Sequence, residues 1–219
     1  MNEKFLYQPV KPFFVHQYFG EDRACLQIAD GKTVIGKQTN ETCPVGYKSL
    51  YSLTQGHNGL DLQAKRWQPV YASHSGLVTE VVTETGRGLG VGIVSDEYRY
   101  FDEIGRKARY KTRYWHLIAI DVHLKDKVKI GDLLGYADST GFSSGDHLHF
   151  ELKPVEVFAT SPDGLTINYK NLSQAHLGAI NPLAYMENTF ALDIKPLLGR
   201  IAELMAKIST ILADRLRGR

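Results

Sequence analysis

The sequence predicts a mainly β fold, an all-β sheet or sandwich, on three observations. Short extended runs recur along the 219 residues at a spacing of roughly 8 to 12 residues, as in strand-rich domains. Twenty glycines punctuate them, mostly in short turns, alongside 12 Tyr, 9 Phe and 2 Trp. Several runs alternate polar and apolar residues at the two-residue period of a strand.

Taken in order, residues 5–19 predict a strand entering the domain, with Pro9 and Pro12 followed by Phe13 to Gly20. Residues 21–55 are polar and Gly-punctuated, a long loop with a short hairpin around Asp30-Gly31. In His57 to Leu62, His57, Gly59 and Asp61 share one strand face, with Leu60 and Leu62 on the other. Gly56 and Gly59 speak against a helix there. Asn58 falls on the face opposite His57, as a turn or loop residue. Val70 to Val82 reads as two strands about a tight Gly turn, Gly86 to Gly92 as a flexible turn, and Val91 to Val94 as a resumed strand. Residues 95–112, charged and Tyr-rich, predict an extended hairpin or loop, followed by a strand from Lys111 to Ile120. Val128 to Ala137 forms a strand-turn-strand unit.

Gly141 to Gly145 is a Gly/Ser-rich turn that feeds a strand. There His147, His149 and Glu151 line one face, and Leu148, Phe150 and Leu152 anchor the other in a core. After Leu152 the chain is read as irregular, with a hairpin at Asp163-Gly164, closing at Ile180 to Tyr185.

The pattern changes after residue 187. Leu197, Ile201, Leu204, Ile208 and Ile211 follow a heptad-like seam, which predicts an amphipathic helix from Pro196 to Arg217. Packing on its own domain, self-association into a homo-oligomer, and membrane-surface binding through Arg215, Arg217 and Arg219 are three readings of that seam. The domain plan is therefore residues 1–187 plus a helix within 188–219.

Charge is nearly balanced, 26 basic against 24 acidic residues, and gives no electrostatic case for nucleic acid. The first residues carry no signal-peptide pattern, and no apolar run has the length of a membrane span. Synthesis in the cytosol is the expectation. Cys25 and Cys43 are compatible with one disulfide or with two free thiols, and their spacing is not that of a zinc finger.

His57, Asp61 and His149 offer two imidazoles and a carboxylate. Three such ligands with a fourth position open describe a catalytic rather than a structural zinc site. Zinc so held polarises a carbonyl and brings the pKa of a water towards neutrality. Such chemistry still needs a proton carrier. His147 shares a strand face with His149, and His116 is the second candidate. His16, His74, His123 and His176 lack partners at ligand spacing and are read as structural or solvated. Tyr114 is read as packing.

The set His57-x-x-x-Asp61, Tyr114-x-His116-Leu117 and His147-x-His149 resembles the lysostaphin/LytM-type zinc endopeptidases. Phe19-Gly20, Val70 to Val82, Val128 to Leu134, Gly141 to Glu151 and Asn181-Pro182 resemble further family motifs in the same order. The likeness covers residues 9–20 and 56–186. It implies a twisted antiparallel sheet of the duplicated-hybrid-motif type, with a groove, that cuts peptide bonds in bacterial peptidoglycan. It also implies one zinc per chain on His57, Asp61 and His149, with His116 and His147 as the catalytic pair. The chain departs from the family in the long 21–55 loop, in Trp115 and in the enlarged 95–112 segment, all expected to border the groove. A non-catalytic wall-binding or activating member is the first alternative, but all five site positions are intact. A biotinyl/lipoyl-like carrier is the second; it lacks a Met-Lys-Met tip and leaves the His/Asp set unexplained. A wall hydrolase without an export signal is expected to act after lysis or from a virion, as a phage or prophage enzyme.

Overall fold

The structure, a computed structural model, describes residues 3–20, 26–29, 32–35, 56–173 and 175–187. Cys25, Cys43, most of the 21–55 segment and the helix expected after Pro196 lie outside the described residues. Eleven strands form one antiparallel sheet. Its main path runs through β1 (Val15–Gln17), β4 (Leu60–Gln63), β12 (His147–Thr160), β9 (Arg106–Ile120), β7 (Gly88–Ser95), β6 (Gly76–Glu84) and β10 (Lys127–Val128). Off this path, β5 (Pro69–Tyr71) pairs with β11 (Leu133–Ala137), which also pairs with β9. Likewise β8 (Arg99–Phe101) pairs with β9, and β13 (Ile167–Asn171) with β12. A separate hairpin joins β2 (Leu26–Ala29) to β3 (Lys32–Ile35), as expected around Asp30-Gly31. Among the described residues helical structure is limited to 3-10 turns, and none is long and apolar enough to cross a membrane.

The two long strands, β9 and β12, make the centre. On β12 the apolar side chains Leu148, Phe150 and Leu152 are fully buried, as the alternation predicts. They pack with Leu60, Leu62, Val91, Ile93 and Tyr114 in the main core. An aromatic cluster closes one end, with Phe5 against Tyr110 at 4.8 Å and Tyr185 at 5.4 Å between centroids. The ends of the domain are clasped there: the Phe5 and Leu6 amides donate to the Tyr185 carbonyl at 3.0 Å.

Three segments differ from the sequence reading. First, β12 does not end at Leu152 but continues to Thr160 and turns at Asp163-Gly164 into β13. Pro154 is tolerated because its carbonyl, which accepts from the Leu172 amide at 3.0 Å, faces the side away from β9. On that side the partner of β12 changes from Ile180, bridged to Leu152, to β13, so Pro154 stands at the end of the β13 ladder, where its missing N–H forfeits one terminal bond at most. Second, the two strands within Val70 to Val82 do not pair with each other: β5 joins β11, and β6 joins β7 and β10. Third, β7 starts at Gly88, inside the expected flexible turn. Gly90 is needed there because a Cβ would run into the Trp115 ring.

Candidate metal centre

Antiparallel pairing of β4 with β12 sets His149 opposite Asp61, so two residues far apart in sequence share one spot on the sheet. His57 lies just before β4 and is held by its own ring: Nδ1 lies 3.2 Å from the Tyr18 carbonyl, to which it donates. That bond leaves the lone pair of Nε2 facing inward. His57 Nε2 is 3.0 Å from His149 Nδ1 and 3.1 Å from Asp61 Oδ1, and His149 Nδ1 is 2.9 Å from the same oxygen. A tetrahedral zinc with bonds of about 2.0–2.1 Å separates its ligands by about 3.3 Å. The three donor atoms therefore have the spacing and chemistry of a metal site, and they form a group able to hold a metal ion.

Electrostatics favour a cation at this point. Burial opposes ionisation of Asp61, but the His149 and His57 imidazoles beside it outweigh burial and hold the carboxyl well below its ordinary range. Burial likewise lowers His149, yet Asp61 and Glu151 overcome it and raise the imidazole. Three donors with one negative charge thus compete for positive charge in a nearly dry spot.

The other two predicted histidines stand beside this group. His147 Nε2 is 3.6 Å from Asp61 Oδ1, and the His116 and His147 rings lie 4.6 Å apart. His116 reaches the site through a bulge: β7 matches Leu89 to Leu117 and Val91 to Tyr114, which leaves one extra residue on β9. Its backbone sits in the left-handed region, φ 64°, a conformation that costs about 1–2 kcal/mol for a residue with a Cβ. Carbonyl oxygens fix both rings. His116 Nδ1 donates to Thr140 at 2.6 Å, and His147 Nδ1 to Gly145 at 2.8 Å. Each therefore turns Nε2 towards the site as an acceptor. Burial, with His147 and His149 nearby, lowers His116 to about 4.

All five predicted positions, His57, Asp61, His116, His147 and His149, are thus brought together. His74 stays apart, buried, with Nε2 2.8 Å from the Thr112 hydroxyl. Tyr114 is buried and its hydroxyl accepts from the Ser73 amide and the Thr112 hydroxyl, the same hydroxyl that His74 meets. Two residues escaped the sequence reading. Asn58 does not sit in a turn opposite the ligands; it is buried, and its amide donates to Glu151 at 2.8 Å. Strand alternation was extended back to His57, whereas the strand itself begins at Leu60. Glu151 was placed on the correct face, but nothing local showed that it is fully buried against His149.

Residues 55–162 match Peptidase family M23. The chain carries a peptidase M23 domain. A curated relative, the glycyl-glycine endopeptidase ALE-1 of Staphylococcus capitis, is 31% identical over 96 residues, covering 43% of this chain and 24% of that protein. The peptidoglycan DD-endopeptidase ShyA of Vibrio cholerae is 29% identical over 166 residues, 72% of this chain and 36% of ShyA. The chain thus spans about a quarter to a third of the length of these relatives. Among solved structures, the catalytic domain of a variant of the prophage-encoded M23 protein EnpA from Enterococcus faecalis shares the fold. It has a TM-score of 0.50 at 22% identity, covering 83% of this chain and 97% of that one.

Proposed function

We propose that this M23 chain is a zinc-dependent endopeptidase acting on peptide bonds of bacterial peptidoglycan, with residues 1–187 as the catalytic domain. His57, Asp61 and His149 hold the metal in this reading, and His116 and His147 move the proton. The observation that carries it is the convergence of three donors at 2.9 to 3.1 Å, faced by two imidazoles with fixed tautomers. The substrate class follows from the relatives, whose names specify glycyl-glycine and peptidoglycan DD-endopeptidases.

Zinc, when bound, supplies Lewis-acid activation of the scissile carbonyl and of the attacking water. The chain supplies the rest. Nε2 of His116 and of His147 are the acceptors that orient the water and take its proton. The two ring centroids lie 4.6 Å apart, so both imidazoles face one spot beside the donor triangle. Once protonated, the imidazolium becomes a donor, first to the developing oxyanion and then to the leaving amine. The carbonyls of Thr140 and Gly145 hold the rings in position throughout.

The test is zinc content together with amine release from purified peptidoglycans of several cross-link types. Wild type is expected to hold about one zinc and to release amines. His149→Ala loses metal and activity. His147→Ala keeps the metal, and kcat falls by about 10² to 10⁴. Zinc binding without cleavage of any peptidoglycan would sink the endopeptidase reading.

A further inference from the structure

We propose that Glu151 is a positioning residue of the metal centre, which holds the outer nitrogen of His149 and so commits Nδ1, not Nε2, to the metal. This rests on the reading of His57, Asp61 and His149 as ligands. Nδ1 of His149 faces Asp61 at 2.9 Å and His57 at 3.0 Å, while Nε2 faces Glu151 Oε1 at 3.4 Å. The ring is thus strung between two carboxylates, one on the metal side and one behind it.

Glu151 is built into this position. It is fully buried, between the Asn58 amide and the Lys153 ammonium. Oε1 accepts from Asn58 at 2.8 Å, and Oε2 lies 2.9 Å from the Lys153 ammonium. Lys153 is anchored in turn by donating to the Leu177 carbonyl at 3.0 Å. A buried carboxylate costs several kcal/mol unless it is paired, and an uncharged side chain would fill the same space without that cost. Its position beside His149 gives the charge a use: a carboxylate that accepts from a ligand imidazole fixes the tautomer and raises its basicity. The second imidazole is oriented the opposite way. His57 spends Nδ1 on the neutral Tyr18 carbonyl and presents Nε2. The two imidazoles therefore turn different ring nitrogens inward, and on the outer side only His149 has an anionic neighbour, Glu151 Oε1 at 3.4 Å.

The experiment uses the full chain, labelled with ¹⁵N and loaded with zinc. Long-range ¹H–¹⁵N spectra of the histidine rings should show His149 with a protonated Nε2 and a metal-bound Nδ1. His149 bound through Nε2 overturns the proposal, and this readout needs no variant. In parallel, Glu151→Gln is titrated with zinc against a chromophoric chelator. Affinity about 10-fold or more below wild type is expected; affinity equal to wild type overturns the role of Glu151 while leaving the ligand set intact. Wild type that binds no zinc overturns both.

Discussion

Gly59 stands between His57 and Asp61, and the His149 ring lies against it. A Cβ built there would sit 2.6 Å from the Phe150 carbonyl oxygen and 2.9 Å from both Cε1 and Nε2 of His149. The ring has no room to retreat because Glu151 closes the space behind it. Gly59→Ala is therefore expected to shift His149 off the donor triangle, weaken zinc binding at least several-fold and cost roughly 1–3 kcal/mol of stability. Chelator competition and urea unfolding measure the two effects. Gly86→Ala is the comparison: a Cβ there meets nothing within 4 Å. Equal zinc affinity in Gly59→Ala and wild type would show that the site tolerates displacement of His149. At this scale the sequence was informative about which residues carry chemistry, since the ligand types stand in plain view at His57, Asp61 and His149. It was silent on close approach, because the need for Gly59 is created by a strand that arrives much later in the chain.

At the scale of the strand, the polar face of β9 and β12 is held by charge rather than by apolar packing. Glu80 on β6 accepts from Arg113 Nε at 2.7 Å, from the Lys111 ammonium at 2.9 Å and from the Tyr169 hydroxyl at 2.9 Å. Burial would raise the Glu80 carboxyl, but Arg113 and Lys111 outweigh it and lower it from 4.5 to about 2. Lys111 is lowered as well, from 10.5 to about 8, which disfavours its charged form, because burial and the nearby Arg113 cost it more than Glu80 returns. The carboxylate is thus the member that gains. A group whose folded pKa is depressed stabilises fully above its unfolded value, and that contribution is lost as pH falls from about 4.5 towards 2. The ceiling is about 3 kcal/mol at 1.36 kcal/mol per unit, and less after solvent screening. Glu80→Gln should be less stable than wild type at pH 7, and the gap should narrow at pH 3. Urea midpoints at both pH values measure it; a gap unchanged by acid would mean that Glu80 contributes shape rather than charge. The apolar half of this face pattern was legible in Leu148, Phe150 and Leu152. The charged half was not, because alternation marks a polar face without showing whether another segment buries it. Pro154 shows the same limit: a proline reads as the end of a strand until the neighbour on its nitrogen side is known.

At the scale of the whole domain, mainly β architecture was legible from strand spacing and alternation, but the pairing was not. The two strands of Val70 to Val82 separated to different partners, since adjacency in sequence cannot show which edge of the sheet is free. The metal centre ties this non-local topology together. Its ligands come from the segment entering β4 and from β12, and the pairing of these strands places Asp61 opposite His149. The unfolded chain keeps no such triangle, so under the proposed zinc reading the ion prefers the folded state and stabilises it by RT ln(1 + [L]/Kd). At a free zinc concentration about 1,000 times Kd this is about 4 kcal/mol. For a domain of this size it amounts to a Tm rise on the order of 10 °C. Treatment with a chelator should lower Tm by that amount, and added zinc should restore it. His57→Ala, lacking one ligand, should start near the chelated value and respond much less to either treatment. A wild-type Tm indifferent to chelator and to zinc would place the three donors outside any metal-linked folding, however close they lie.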